Sequence, residues 1–200
     1  MWRLVGDLAT DLLALGLNRE ATYAPERTPF FLAECRRRCF VTEYYLEKMF
    51  GLVFNLPSRI TPQFVDVNLP LDLSDEEIFA DTPEALEEAK SRLTDDGWNT
   101  DGKYRAATWA RLRYILSRFR EEIVEYQFQG SQAADPSKLR YEQRASRCFD
   151  YLLKQFRDLS FRCRQTWDNL LPHLRYNQNC WKSEIPLTVC YMHAKVHLAY

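Results

Sequence analysis

Residues 56–73 read Leu56-Pro57-Ser58-Arg59-Ile60-Thr61-Pro62-Gln63-Phe64-Val65-Asp66-Val67-Asn68-Leu69-Pro70-Leu71-Asp72-Leu73. Pro57, Pro62 and Pro70 forbid a helix through this stretch, because each removes a backbone donor and fixes φ. From Val65 to Leu73 apolar residues alternate with Asp66, Asn68, Pro70 and Asp72, the pattern of a half-buried strand. No partner strand is visible elsewhere, so the segment is read as extended chain laid across helices. That makes the fold class all-α: a multi-helix domain with one long proline-containing extended segment at about 56–73.

The flanks carry helical spacing. Val5, Leu8, Ala9, Leu12, Leu13 and Leu15 place a helix over 2–15, and Gly16 suits its C′ position. Thr28-Pro29 opens a second helix that the spacing carries to about Phe50, with Gly51 as its end. Its apolar stripe is read as Leu32, Cys35, Cys39, Thr42, Leu46 and Met49. After the extended segment, Ser74 is an N-cap before Asp75, Glu76 and Glu77, and Thr82-Pro83-Glu84 starts a short helix ending before Asp96-Gly97. A long helix is expected over 101–128, with Ala106, Trp109, Ala110, Leu112, Arg113, Leu116, Phe119, Ile123 and Tyr126 inward. Residues 130–136 read as a loop, 137–170 as another long helix, 172–179 as a second loop, and Pro186 as the start of a last helix still running at Tyr200. A chain that stops inside a helix reads as a fragment of something longer.

Composition fits a globular chain. Of 200 residues, 46% are hydrophobic and 28% charged, which excludes global disorder. Net charge is -1, so the whole chain has no electrostatic pull toward nucleic acid or an anionic membrane. Only 6 glycines occur, well below the average of about 7%, which argues against folds built on glycine loops. No apolar run reaches the roughly 18 residues a membrane span needs, so no membrane partner is expected. The 6 cysteines include no Cys-x-x-Cys pair and are expected to be free, buried thiols of a reducing compartment.

Signals for catalysis are poor: there is no phosphate loop, dinucleotide fingerprint or nucleophile elbow. The weak metal candidate is Cys190, His193 and His197, whose spacings of three and four share one helix face. Cys180 could add a fourth ligand. The competing reading packs Cys190 in the core with the histidines at its rim, and no metal is assigned. Arginines at 36–38, along 105–120 and along 140–164 could form a phosphate-binding face or ion-paired helix surfaces. The second is preferred, since three consecutive arginines diverge by about 100° each.

Several blocks together resemble the fungal-specific transcription factor domain, the middle homology region of Zn2Cys6 zinc-cluster regulators. Trp2-Arg3-Leu4 through Ala14-Leu15-Gly16-Leu17-Asn18-Arg19-Glu20 is similar to that family's "WRL…A..LGLHR" opening. Glu34-Cys35-Arg36-Arg37-Arg38-Cys39-Phe40 resembles "E.RRR.FW". Residues 55–60 and Val65 to Pro70 resemble "GRP..I…D.DV.LP", with Asn55-Leu56 replacing the usual Gly-Arg. More loosely, Trp167 to Pro172 resembles "W…LP".

The resemblance implies a regulatory domain over 1–200, incomplete, and no enzyme. It implies a nuclear protein that controls RNA polymerase II transcription. Zinc and DNA binding would belong to an N-terminal six-cysteine module that this chain lacks, so no cofactor is expected here. A small apolar effector, a coactivator and homodimerisation of the full-length protein are the implied partners. Glu34, Arg36, Arg37, Pro57, Asp66 and Pro70 are the family-motif positions, expected to be structural. Two other readings stand beside this one: a ligand-free protein-interaction module, and a helical enzyme or metal protein.

Overall fold

The structure, a computed structural model, describes residues 2–54 and 56–133, together with Lys154, Phe161, Gln165, Thr166, Asp168 and Asn169, all six helical. Five α-helices and no β-strand occur among the described residues: α1 (Trp2–Ala14), α2 (Phe30–Phe54), α3 (Asp75–Ile78), α4 (Pro83–Ser91) and α5 (Ala106–Ala133). None is long and apolar enough to cross a membrane. The helix expected over 137–170 lies outside the described residues apart from those six positions. The loop at 172–179, the last helix, and Cys180, Cys190, His193 and His197 lie outside them entirely.

Helix α1 ends as the glycine predicts. Gly16 has φ +68, and the Gly16 and Leu17 N–H groups donate to Leu13 and Leu12 carbonyls at 3.0 and 2.9 Å. These are the two reversed bonds that satisfy the last carbonyls of a helix ending in a left-handed residue. Leu17 then packs into the same core cluster as Leu12, Ala9, Phe40 and Tyr44. Ser74 forms a reciprocal cap with Glu77, and Thr82 accepts from the Ala85 N–H, so both predicted helix starts are observed.

Helix α2 departs from expectation twice. It runs through Gly51 to Phe54. Gly51 is there for clearance: a Cβ would come 3.2 Å from the Leu56 carbonyl of the returning chain. Its buried face is also not the predicted stripe. Cys39 and Thr42 are exposed, while Ala33, Glu34, Phe40, Val41, Glu43, Tyr44, Glu47 and Lys48 are buried. Hydropathy places such charges outward, but here Glu34, Glu47 and Lys48 have partners in the extended segment, and Lys48 also on α5.

Helix α5 starts at Ala106 rather than 101. Gly102 turns with φ +76, and Thr108 Oγ1 accepts the Arg105 N–H at 3.0 Å, closing the N-terminus from inside. It continues to Ala133, through the expected loop start at Gly130, since one glycine costs a helix only about 1 kcal/mol. Its inner face is Ala107, Thr108, Arg111, Leu112, Leu116, Ser117, Arg120, Glu121 and Val124, and Ala106 faces solvent. Helices α2 and α5 form the main packed pair, with the Tyr44 and Tyr114 rings 4.8 Å apart. The alternation holds only over its first half. Val65, Val67 and Leu69 pack against the core, and Asp66 and Asn68 face out. Pro70 and Asp72, expected outward, are buried, Asp72 because Asn99 and Thr108 hydrogen-bond its carboxylate.

Gly16→Ala should lower unfolding stability by about 1–2 kcal/mol, the cost of a left-handed residue with a Cβ. Its Cβ would also come 3.1 Å from Thr22 Oγ1. Urea denaturation followed by circular dichroism checks this; a change within error would contradict the role given to the turn.

Candidate functional site

An extended chain with no strand beside it must find other partners for its peptide groups, because a buried unpaired one is costly. Along 59–73 the partners are largely charged side chains. Glu47, fully buried on α2, accepts the Arg59 and Ile60 N–H groups at Oε1, at 2.6 and 3.1 Å. Lys48 Nζ donates to the Ile60 carbonyl. Asn18 receives the Asp66 N–H on its carbonyl at 3.1 Å and donates its side-chain amide to the Phe64 carbonyl at 2.6 Å. Glu20 Oε2 accepts the Asn68 N–H at 2.8 Å, and Glu34 Oε2 the Leu71 N–H at 2.7 Å. Arg111 donates to the Pro70 carbonyl and Arg38 to that of Leu73.

The family-motif positions fall on this clamp unequally. Glu34 is fully buried, and its Oε1 pairs with Arg37 at 2.7 Å. Arg37 also pairs with Glu20 and lies 4.8 Å over the Tyr23 ring. Burial works against the Arg37 charge, but the Glu20 and Glu34 carboxylates outweigh it and hold the guanidinium more firmly protonated than usual. Burial likewise pushes the Tyr23 hydroxyl up to about 12. Asp66 is exposed, accepts the Glu20 N–H at 2.8 Å and pairs with Arg19 at 3.1 Å. Pro70 is buried, and Pro57 is exposed in the turn after α2. Among the described residues Arg36 reaches only Thr28 Oγ1, at 3.5 Å. Glu34, Arg37, Asp66 and Pro70 therefore converge on the segment, whereas Arg36 and Pro57 stand apart from it.

Sequence reading missed Lys48, Tyr44, Glu121, Arg111 and Asp72 as participants. Lys48 is fully buried between Glu47 and Glu121 of α5, 2.9 Å from each. Tyr44 donates to the other Glu121 oxygen. Arg111 is buried 4.2 Å over the Trp98 ring and touches the Pro70 and Asp96 carbonyls. Burial lowers its pKa to about 10, although Asp72, Glu34 and Asp96 pull the other way. Asp72, also buried, binds Asn99 and the Thr108 hydroxyl, the latter at 2.6 Å. This ties the segment to the turn before α5. The available signal was the helical spacing of Glu34, Arg37, Tyr44 and Lys48, which puts charges on the same face as Val41.

One cleft, of about 470 Å3, adjoins the clamp. Tyr23, Pro25, Phe30 and Ala33 make its apolar wall, and Glu20, Thr28 and Arg37 its polar side. The volume is within the range of small-molecule sites. No cluster of three metal-ligating side chains exists among the described residues.

A family model described as the fungal specific transcription factor domain matches residues 1–139. The match covers well over half of the chain and all five described α-helices. The chain belongs to this family, the non-enzymatic middle domains of fungal zinc-cluster transcription factors, whose role is regulatory. Neither a curated protein nor a solved structure matches it.

Two outcomes follow from the buried charges. Arg37→Ala strands the Glu34 carboxylate and should cost about 3–5 kcal/mol. Arg36→Ala should cost less than about 1 kcal/mol. Equal losses in chemical denaturation would contradict the geometry. Glu43 is buried, and neither of its oxygens has a hydrogen-bond partner among the described residues. Burial, then the nearby Glu47 charge, raises its pKa from 4.5 to about 7 against the pull of Arg59. A raised folded pKa means stability is full below pH 4.5 and lost as pH rises toward 7. Over that window the wild type should lose on the order of 3 kcal/mol relative to Glu43→Gln. Parallel stability–pH curves for the two proteins would refute this.

Proposed function

We propose that this chain is the effector-sensing regulatory domain of a fungal zinc-cluster transcription factor that acts on RNA polymerase II transcription in the nucleus. On this reading residues 1–200 form one incomplete regulatory domain. DNA and zinc are bound by a separate six-cysteine module of a longer protein, which also carries the means of homodimerisation. A small apolar effector biases two packings of the helices and so exposes or hides a coactivator surface, a population shift whose size is set by the effector's differential affinity.

The observation that carries this reading is the double duty of Glu20 and Arg37. They wall the cleft, and through Asn68 and Glu34 they also hold the extended segment. Whatever occupies the cleft acts on the same charges that restrain the segment. A second reading, a ligand-free interaction module, draws support from Leu4 and Leu8, exposed on α1, and Leu15, exposed just after it.

The test fuses the chain to a heterologous DNA-binding domain upstream of a reporter. Glu20→Ala should shift basal output several-fold and speed deuterium exchange across residues 61–71, with the protein still folded. Unchanged output and exchange would sink the restraint mechanism. A shift in output with no ligand-dependent thermal shift across a panel of apolar metabolites would favour the interaction module.

A further inference from the structure

Helix α2 carries two free thiols, Cys35 and Cys39, one turn apart. Cys39 is exposed and Cys35 half-buried. Neither belongs to the clamp, which uses the other face of this turn through Glu34 and Arg37. Residues four apart on a helix have Cβ atoms about 5–6 Å apart, close enough for side-chain rotation to bring two sulfurs onto one atom between them. The two sulfurs already feel each other. Burial, then the nearness of Cys35, raises the Cys39 pKa, so Cys39 is a poorer lone nucleophile than a free cysteine. One turn before Cys35 on the same stripe stands Phe31, 42% exposed, its ring 5.5 Å from that of Phe79. The surface is therefore a dithiol beside an aromatic pair.

We propose that Cys35 and Cys39 form a chelating site for a trivalent aryl arsenical, with the aryl group packing on Phe31. Phenylarsine oxide is the simplest such ligand. Two As–S bonds form, arsenic gives up its oxygen, and that oxygen leaves with the two thiol protons as one water. Arsenic stays trivalent and both sulfurs keep their oxidation state, so no oxidant or reductant is needed. Chelation drives capture: once one thiol has bound, the second reacts as if at high local concentration. The bridge would span the turn that carries Arg37 and Arg38, two of the residues of the clamp.

The test treats the full 200-residue chain with one equivalent of phenylarsine oxide, blocks remaining thiols with N-ethylmaleimide and digests with trypsin. Trypsin cuts after Arg36, Arg37 and Arg38, between the two cysteines, so only an arsenic bridge keeps the flanking peptides together. The expected product is that linked pair, carrying one phenylarsenic and released by dimercaptopropanol. Cys35→Ser and Cys39→Ser should each lose roughly a hundredfold or more in apparent affinity, because a single thiol forfeits the chelate. Both leave the clamp intact, and their circular dichroism should match the wild type. Phe31→Ala should weaken phenylarsine oxide but not inorganic arsenite. Full capture by either serine variant, or arsenic recovered on other cysteines alone, would overturn the proposal.

Discussion

The peptide groups of residues 59–73 set the terms for the rest of the molecule. Apart from one 3-10 turn at Pro62–Phe64, this stretch is extended, crosses the helices and has no neighbouring strand among the described residues. A sheet would satisfy its N–H and C=O groups at no cost in side chains. Here Glu47, Glu20 and Glu34 accept from it, and Lys48, Asn18, Arg111 and Arg38 donate to it. Each is a longer reach than a strand would need, and each loses rotamer freedom when fixed. Donors and acceptors are mixed along the stretch because the backbone presents both. The surrounding helices therefore had to offer both signs of charge on faces that would otherwise be apolar.

Those charges are not themselves the source of stability. Desolvating a carboxylate and an ammonium costs several kcal/mol per ion, and mutual attraction roughly repays it only with good geometry. The Glu47–Lys48–Glu121 group has that geometry, with Lys48 at 2.9 Å from both carboxylates and above the Tyr44 ring. Stability comes from the apolar seam beside it, where Phe40, Tyr44, Leu112 and Leu116 are buried. The charge group instead fixes how α2, α5 and the segment meet: a slide of either helix would leave a buried ion alone. Arg111 works in the same sense without a carboxylate, since carbonyls and the Trp98 ring hold its guanidinium. Gly97, with φ +77, lets that happen: a Cβ there would come 3.0 Å from Leu71 and 3.3 Å from the Arg111 guanidinium.

Local chemistry made part of this legible beforehand. The turn at Gly16, the Ser74 and Thr82 caps and the alternation of Val65, Val67 and Leu69 depend on residues within a few positions, so spacing alone finds them. The family blocks did the same for Glu34, Arg37, Asp66 and Pro70, which the fold brings to one segment, while Arg36 and Pro57 share the blocks but not the clamp. The inner faces of α2 and α5 were misread because hydropathy treats each helix as if its surroundings were apolar or aqueous. Cys39 and Thr42 looked inward, and Glu47, Lys48 and Arg111 outward, until the polar backbone of a segment between 12 and 41 residues away supplied partners. A consistent reading was within reach: an alternating stretch with prolines and no partner strand demands polar contacts, and buried charges on neighbouring helices are where they can come from.

The clamp is also uneven along its length, and that decides where a regulatory signal can act. At the Ile60 end its charges are wholly enclosed, with Glu47 and Lys48 at 0% side-chain exposure. In the middle the pairs are wet: Arg19 and Asp66 are 56% and 52% exposed, and Glu20 is 32% exposed. Ion pairs so exposed are worth no more than about 1 kcal/mol each. Opening the segment from its Ile60 end would uncover Glu47 and Lys48 at several kcal/mol apiece. Opening it near Asp66 and Asn68 forfeits one weak ion pair and a few hydrogen bonds with neighbouring side chains. A ligand with a differential affinity of only a few kcal/mol can therefore shift the middle of the segment while both anchors stay closed. The cleft is walled by Glu20, whose carboxylate holds the Asn68 N–H at that middle, so in the proposed mechanism an occupant would act where the least binding energy moves the most chain.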